Sequence, residues 1–329
     1  MSLNGTMEGV AAAGRPRLDW GRWSAPIVVA GAWLALIAAT SIYRHDFLSH
    51  QTLLAVTFTM SVVGVLAIGQ GLVAISGGFL DLSQPSNLIL SSLVVIRLSE
   101  AGMPLPVLFV AGILTGMAWG LVNAAIIVFG KLNPVIVTLS TNFIGIAALY
   151  LIFQLAQVPN NSDIYYFGRA SFLGLPAIWW PMLALILIVG VFMQRTRFGR
   201  RATAGGGNRF AAQVRGISLR KTRFAVFTIA GGFVGFTSIL FVSAAGPIEA
   251  RSADLLLLNV IAAVIVGGIA LSGGRGHFWM LILSVGLLST VPTSLVFFGL
   301  DSDSQAIFQG LILVVAVALD GYRSKKGTP

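Results

Sequence analysis

Apolar runs long enough to cross a membrane recur between residues 25 and 320, separated by short polar segments. A bilayer's hydrocarbon core is about 30 Å thick and takes about twenty apolar residues in helical form. On that measure the pattern predicts ten spans, near 25–43, 52–76, 84–98, 104–130, 134–155, 176–193, 224–246, 255–272, 278–299 and 305–320. The third is short and is interrupted by Pro85. A membrane barrel would instead show alternating segments of about ten residues. The chain therefore reads as an all-α polytopic membrane protein: a tail over 1–24, a transmembrane domain over 25–320 and a tail over 321–329. The polar, Arg-bearing residues 1–24 precede an apolar run as in a signal peptide, but the spans that follow favour an uncleaved first helix.

Charge then sets the orientation. Cytoplasmic segments carry the Lys/Arg excess. With the N-terminus inside and the spans alternating, 17 of the 21 basic residues fall inside, and only Arg44, Arg97, Arg169 and Arg251 fall outside. Both ends are thus predicted to be cytoplasmic. Helices two to five then start outside and helices seven to ten start inside, the layout of an inverted repeat. Composition agrees: 56% of residues are hydrophobic and 10% charged, against about 25% charged in a soluble domain. The net charge of +10 follows membrane topology rather than nucleic acid, because the basic residues lie between spans. With no cysteine, disulfides and thiolate metal sites are excluded.

The longest inside segment, 194–223, holds nine basic residues and no acidic one. Asn208 is a good helix N-cap and Gly216 a good stop. Between them Phe210, Ala211 and Val214, with Ile217 beyond, recur at near-helical spacing. These residues alone admit two readings: a connector that only fixes topology, or an amphipathic handle for a soluble partner. The longest outside segment, 156–175, reads as an irregular surface loop.

No ionisable residue falls in the middle of a predicted span, which argues against a proton- or ion-coupled carrier. There is no phosphate-cradling G-x-x-x-x-G-K-[ST] and no metalloprotease or triad pattern, so no catalytic residue, metal or cofactor is expected. The span residues with hydrogen-bonding capacity are neutral, among them Gln70, Asn87, Asn123, Thr138, Asn142, Gln154 and Asn259. Amides and hydroxyls suit a neutral hydroxylated solute, although most such residues are glue between helices. Gln70, Asn87, Thr138, Asn142 and Asn259 are taken as path residues. Thr138 and Asn142 share a helix face, and Gln70 and Asn87 flank the Gly77–Gly78 pair.

Four segments together, in order, resemble one family, the permease subunits of bacterial ABC importers of the ribose/xylose/autoinducer-2 type. Gly69–Val95 (GQGLVAISGGFLDLSQPSNLILSSLVV) resembles G-Q-x-x-V-x-x-x-G-G-I-D-L-S-V-G-S, and Asn133–Thr141 (NPVIVTLST) resembles N-P-F-I-x-T-L-G-T. Phe198–Ile217 (FGRRATAGGGNRFAAQVRGI) is similar to F-G-R-x-x-Y-A-I-G-G-N-x-x-A-A-x-x-S-G-I. Asn259–Gly276 (NVIAAVIVGGIALSGGRG) is similar to D-A-I-A-A-V-V-I-G-G-T-S-L-x-G-G-x-G. The chain departs from these patterns at Leu80, Gln84–Pro85, Ser140, Arg215, Asn259–Val260 and Ala270.

The resemblance implies a pair of permeases, identical or paralogous, two cytoplasmic ATPase subunits and a periplasmic solute-binding protein, in the bacterial inner membrane with its lipid. It implies that Gly199, Arg200, Gly206, Gly207, Asn208, Ala211, Ala212, Gly216 and Ile217, with Arg215 beside them, form the loop that docks on the ATPase. The expected function is the non-catalytic pore subunit of an ATP-driven importer for a sugar or sugar-like solute. A branched-chain amino-acid permease and a self-sufficient or ion-coupled carrier are the alternatives.

Overall fold

The computed structural model describes residues 20–77, 80–153, 157–158, 162–244 and 247–326. Arg15, Arg17, Gly78, Gln154 and the last three residues of the predicted C-terminal tail lie outside the described residues. Helices follow one another as α1 (Trp20–Tyr43), α2 (His50–Gly77), α3 (Gln84–Glu100), α4 (Leu105–Gly130), α5 (Pro134–Ile152) and α6 (Ser162–Arg169). They continue as α7 (Trp179–Arg195), α8 (Arg197–Gly207), α9 (Arg209–Val214), α10 (Leu219–Ala244), α11 (Asp254–Val266), α12 (Leu281–Phe297) and α13 (Ser302–Lys326).

At α3 and α5 proline marks a start rather than a break, whereas Pro26 and Pro292 lie inside α1 and α12. Pro85 lies in the first turn of α3 and Pro134 opens α5, where the missing N–H had no helical partner anyway. Asn133 caps α5, its side chain accepting from the Val135 N–H at 2.9 Å. Pro85 therefore begins α3 instead of interrupting it.

Two expectations are corrected. The eighth span was to run to residue 272, but α11 stops at Val266. Gly268, at φ +74°, takes the left-handed turn, with Gly268 N–H on Ile265 C=O at 2.9 Å and Ile269 N–H on Val264 C=O at 3.1 Å. That is a Schellman ending, so residues 267–277 run on as non-helical chain. The segment 156–175, expected outside, was to be an irregular surface loop. It contains α6 and a hairpin of β1 (Ser171–Phe172) and β2 (Leu175–Pro176), paired Ser171 to Pro176 and Phe172 to Leu175. Leu173 and Gly174, both at positive φ, form its two-residue turn.

Helices α1, α2, α4, α5 and α10, and the stretch Phe278–Phe297, are long and apolar enough to cross a membrane; α7 joins α8 at a 77° bend. This is an all-α, multi-pass membrane protein. Helices α2 and α10 are mostly buried, whereas α1, α4 and α5 present apolar side chains outward. α10 packs on α2, α3 and α4, while α2 packs on α10, α11 and α12; α3 touches α4 and α5 as α11 touches α12 and α13. Exchanging α2–α5 for α10–α13 maps one set of partners onto the other. The most extensive helix contact is α4 on α10, where Gly112, Gly116 and Gly120 meet Gly231 and Gly235 backbone to backbone and a Cβ on Gly116 would strike the Gly231 carbonyl. Small residues permit such approach in membranes.

Candidate functional site

The short helix expected between Asn208 and Gly216 forms as α9, and a further helix, α8, precedes it in the same loop. Thr196 caps α8, its Oγ1 accepting from the Gly199 N–H at 3.2 Å. Asn208 caps α9 as expected, accepting from the Ala211 N–H at 2.9 Å. Gly216, at φ +74°, ends α9 with a second Schellman pair, Gly216 N–H on Gln213 C=O at 2.9 Å and Ile217 N–H on Ala212 C=O at 3.0 Å.

Glycines seat this platform on the membrane domain. Gly199 lies on the Met193 backbone and Gly206 on the Ile75 carbonyl, leaving no room for a Cβ at either place. Gly207 touches Gly274, whose N–H donates to Ile75 C=O at 2.8 Å. Arg209 donates from Nη2 to Gly77 C=O at 2.9 Å, so α8 and α9 together grip the last turn of α2. Arg200 donates to Arg195 C=O at 2.9 Å.

A cavity of about 690 Å³ opens beside the platform. Arg200, Gly207, Asn208, Ala211, Ala212 and Arg215 line it together with Ile75, Gly274 and His277. The structure thus gathers six of the ten loop residues around one space; Gly199 and Gly206 lie beneath as packing glycines, and Gly216 and Ile217 form the end of α9. Phe210 and Val214, four residues apart on α9, are 78% and 73% exposed, whereas Ala212 is 2% exposed. Their helical spacing was visible in the sequence, but which of them would be left uncovered was not.

The predicted path residues lie around the break between α2 and α3. Gln84 Nε2 donates to Leu66 C=O at 3.4 Å, eleven residues before the end of α2. At 1.5 Å per residue that sets the start of α3 roughly 16 Å up from Gly77, so α3 begins inside the helix bundle. Three amide donors ahead of or within its first turn find side chains. Thr138 Oγ1 accepts from Leu82 N–H at 3.1 Å, Asp81 Oδ1 from Ser83 N–H at 2.9 Å, and Asn142 Oδ1 from Ser86 N–H at 3.0 Å. Ser83 Oγ also donates to Asp81 Oδ1 at 2.7 Å and accepts from Asn123 Nδ2 at 2.7 Å. The Gln70 amide, turned so that its nitrogen faces Asp81 C=O and its oxygen Asp81 N–H, clasps the same residue at 3.2 Å on both sides. Asn87 donates to Gly116 C=O at 3.4 Å and accepts from Ser91 Oγ at 3.2 Å.

Gln70, Thr138 and Asn142 are thereby brought together, Asn87 lies one turn further along α3, and Asn259 stands apart on α11. Asn259 is 5% exposed, and its side chain has no hydrogen-bond partner among the described residues. Between α3 and α11 the gap lined by Leu66, Gln84, Pro85 and Leu257 is too narrow for water. Asp81 and Ser83 were not singled out from the sequence, although both stand in the first motif. Asp81 is 2% exposed and belongs to the non-helical link between two helices, outside the windows in which an intramembrane charge was sought.

Gln70, which holds the link, and Ile75, which holds the platform, are five residues apart on one helix. The last two turns of α2 connect the surface gripped by α8 and α9 to the start of α3.

The chain is similar over most of its length to several membrane permeases. It is 30% identical over 292 residues to the ribose import permease protein of Bacillus subtilis, covering 88% of this chain and 90% of that one. It is 27% identical over 299 residues to the L-arabinose ABC transporter permease protein of Azospirillum brasilense, covering 88% and 86%. To the autoinducer 2 import system permease protein of Salmonella typhi it is 28% identical over 305 residues, covering 91% and 92%. No solved structure matches it. Residues 52–317, from the start of α2 into α13, match the family described as branched-chain amino acid transport system / permease component. A helical membrane body carrying a glycine-seated basic platform at one face accords with that match, and the chain belongs to this family of transport-system permease components.

Proposed function

We propose that this chain is the membrane-spanning, non-catalytic subunit of an ATP-driven importer in the bacterial inner membrane, and that its solute is a sugar or sugar-like molecule. Two of the three relatives are named for sugars, and apart from Asp81, whose carboxylate is held by Ser83, the embedded hydrogen-bonding side chains described above are neutral amides and hydroxyls. Branched-chain amino acids, in the family's description, would favour an open helix N-terminus for the carboxylate; at α3 the Leu82, Ser83 and Ser86 N–H groups are already taken by side chains.

The observation that carries the reading is the platform. Exposed Phe210 and Val214 on α9, seated through α8 on the end of α2, form a face for a cytoplasmic ATPase subunit. Residues 194–223 act as the coupling loop, a second permease completes the membrane core, and a periplasmic binding protein delivers the solute. Large aromatic anchors dominate interface energies, about 2 kcal/mol or more each. Phe210→Ala with Val214→Ala is therefore expected to lower ATPase co-purification and solute-stimulated ATP hydrolysis by about tenfold or more, with the helical content unchanged. Full retention of both would remove α9 from the docking face.

Ten crossings with both termini cytoplasmic and an inverted repeat of α2–α5 on α10–α13 complete the proposal, supported by the charge distribution and the exchangeable packing partners. The natural absence of cysteine makes the orientation easy to test. A cysteine at Ser171 should react with an impermeant thiol reagent added outside intact cells, and one at Gln213 only after lysis. Labelling of Gln213→Cys in intact cells would reverse the orientation.

A further inference from the structure

A second basic feature lies at the end of the coupling loop, where α10 begins, and shares no lining residue with the cavity beside α9. A groove of about 620 Å³ runs along the first turns of α10, with Ser218, Arg220 and Lys221 at its head and Phe224, Thr228 and Ile229 along its floor. The guanidinium of Arg220 stands 4.7 Å above the ring of Phe129 at the end of α4. This cation–π contact fixes its position while leaving its N–H edges open. Among the described residues the ion pairs are Arg97–Glu100 and Arg251–Asp254, so neither Arg220 nor Lys221 is matched by a carboxylate. Lys131 follows two residues after Phe129 and adds a third cation at the same helix end.

We infer that this groove binds an anionic phospholipid of the cytoplasmic leaflet, its phosphate on Arg220 and Lys221 and an acyl chain along Phe224 and Ile229. The profile, charged at the head and apolar for two helical turns below, matches a lipid standing in a bilayer. A soluble protein meets polar and apolar groups at one level, as Phe210 and Val214 present them. A planar guanidinium takes two phosphate oxygens at once, and basic pockets between helices on the cytoplasmic side are where anionic headgroups collect. The leaflet rests on the orientation proposed above; the binding does not.

The test uses the full chain without ATPase subunits, exchanged into nanodiscs of equal phosphatidylglycerol and phosphatidylethanolamine, with the lipids retained after delipidation counted by native mass spectrometry. Wild type should keep phosphatidylglycerol preferentially, and Arg220→Gln with Lys221→Gln should lower that retention by about tenfold or more. Removing equal charge elsewhere in the loop, by Arg197→Gln with Arg201→Gln, should leave it unchanged. Equal retention of the two lipids by wild type would overturn the assignment. So would undiminished retention by the first pair, or an equal loss from the second. Should the first pair lose ATPase co-purification while keeping its lipid, the groove is a protein contact and the inference fails. Phe210→Ala tests the docking proposal alone and should not alter lipid retention.

Discussion

Replacing Gly206 by valine is expected to abolish uptake while leaving insertion into the membrane intact. The hydrogen at this Cα faces the Ile75 carbonyl, and a Cβ would overlap it and crowd the Gly274 N–H. The overlap involves backbone on both sides, so no rotamer change relieves it, and overpacking of this kind costs about 1–3 kcal/mol even in forgiving sites. Helix α8 must lift from α2, straining the Gly274–Ile75 bond that the new carbon crowds, loosening the Arg209–Gly77 bond and tilting α9 with its exposed Phe210. Uptake should fall by more than about tenfold, and ATPase co-purification with it. Gly310→Ala, on α13 with nothing within 4 Å of the added carbon, is the matched control and should transport normally. Wild-type uptake by Gly206→Val would dissociate the seating of α8 from coupling.

The second large effect separates two asparagines that look alike in the sequence. Asn142→Leu removes the acceptor for Ser86 N–H in a buried site, and a stranded donor there costs about 1–3 kcal/mol. Its melting temperature and its uptake should fall together, because the start of α3 is loosened. Asn259→Leu removes no side-chain hydrogen bond among the described residues, so it should melt as wild type does. If α11 faces the solute, its uptake should drop by about tenfold, the loss of one hydrogen bond to the passing molecule. Melts and uptake measured on the same preparations decide both. Unaltered melting of Asn142→Leu would mean that the Ser86 bond adds nothing, and wild-type uptake by Asn259→Leu would take α11 off the path.

These asparagines show where the sequence was legible and where it was not. Apolar runs and proline placement locate most helices within a few residues, since burial in lipid leaves the backbone no alternative. The end of α11 was missed because Ile269, Ala270 and Leu271 continue the apolar run, while the left-handed turn that stops the helix depends on Gly268 alone. Helix α8 was missed for the opposite reason. The run Ala204-Gly205-Gly206-Gly207 reads as a breaker by propensity, yet it is helical because only a surface without Cβ atoms can lie on the end of α2; packing overrode propensity. The loop residues proposed to dock stood out as a set, since motif and spacing fall in one loop. The residues expected along a path were readable as polar and embedded, but their roles depend on which neighbour each one meets. That information arises only when Thr138 and Asn142, more than fifty residues downstream, return to the start of α3.

The glycine-lined crossing of α4 on α10 bears on how such a protein can move. Two helices in backbone contact over three successive glycines cannot slide past one another without driving carbonyl into Cα, nor rotate without opening a void that lipid cannot fill. They should travel as one strut through any working cycle. The freedom to change shape then falls to the places where helical continuity is already interrupted: the 77° elbow between α7 and α8, the Asp81 link ahead of α3, and the glycine-rich chain after α11. Amide exchange should accordingly be slowest along the facing turns of α4 and α10 and fastest at those three joints, giving the transport cycle a fixed axle and a short list of bearings.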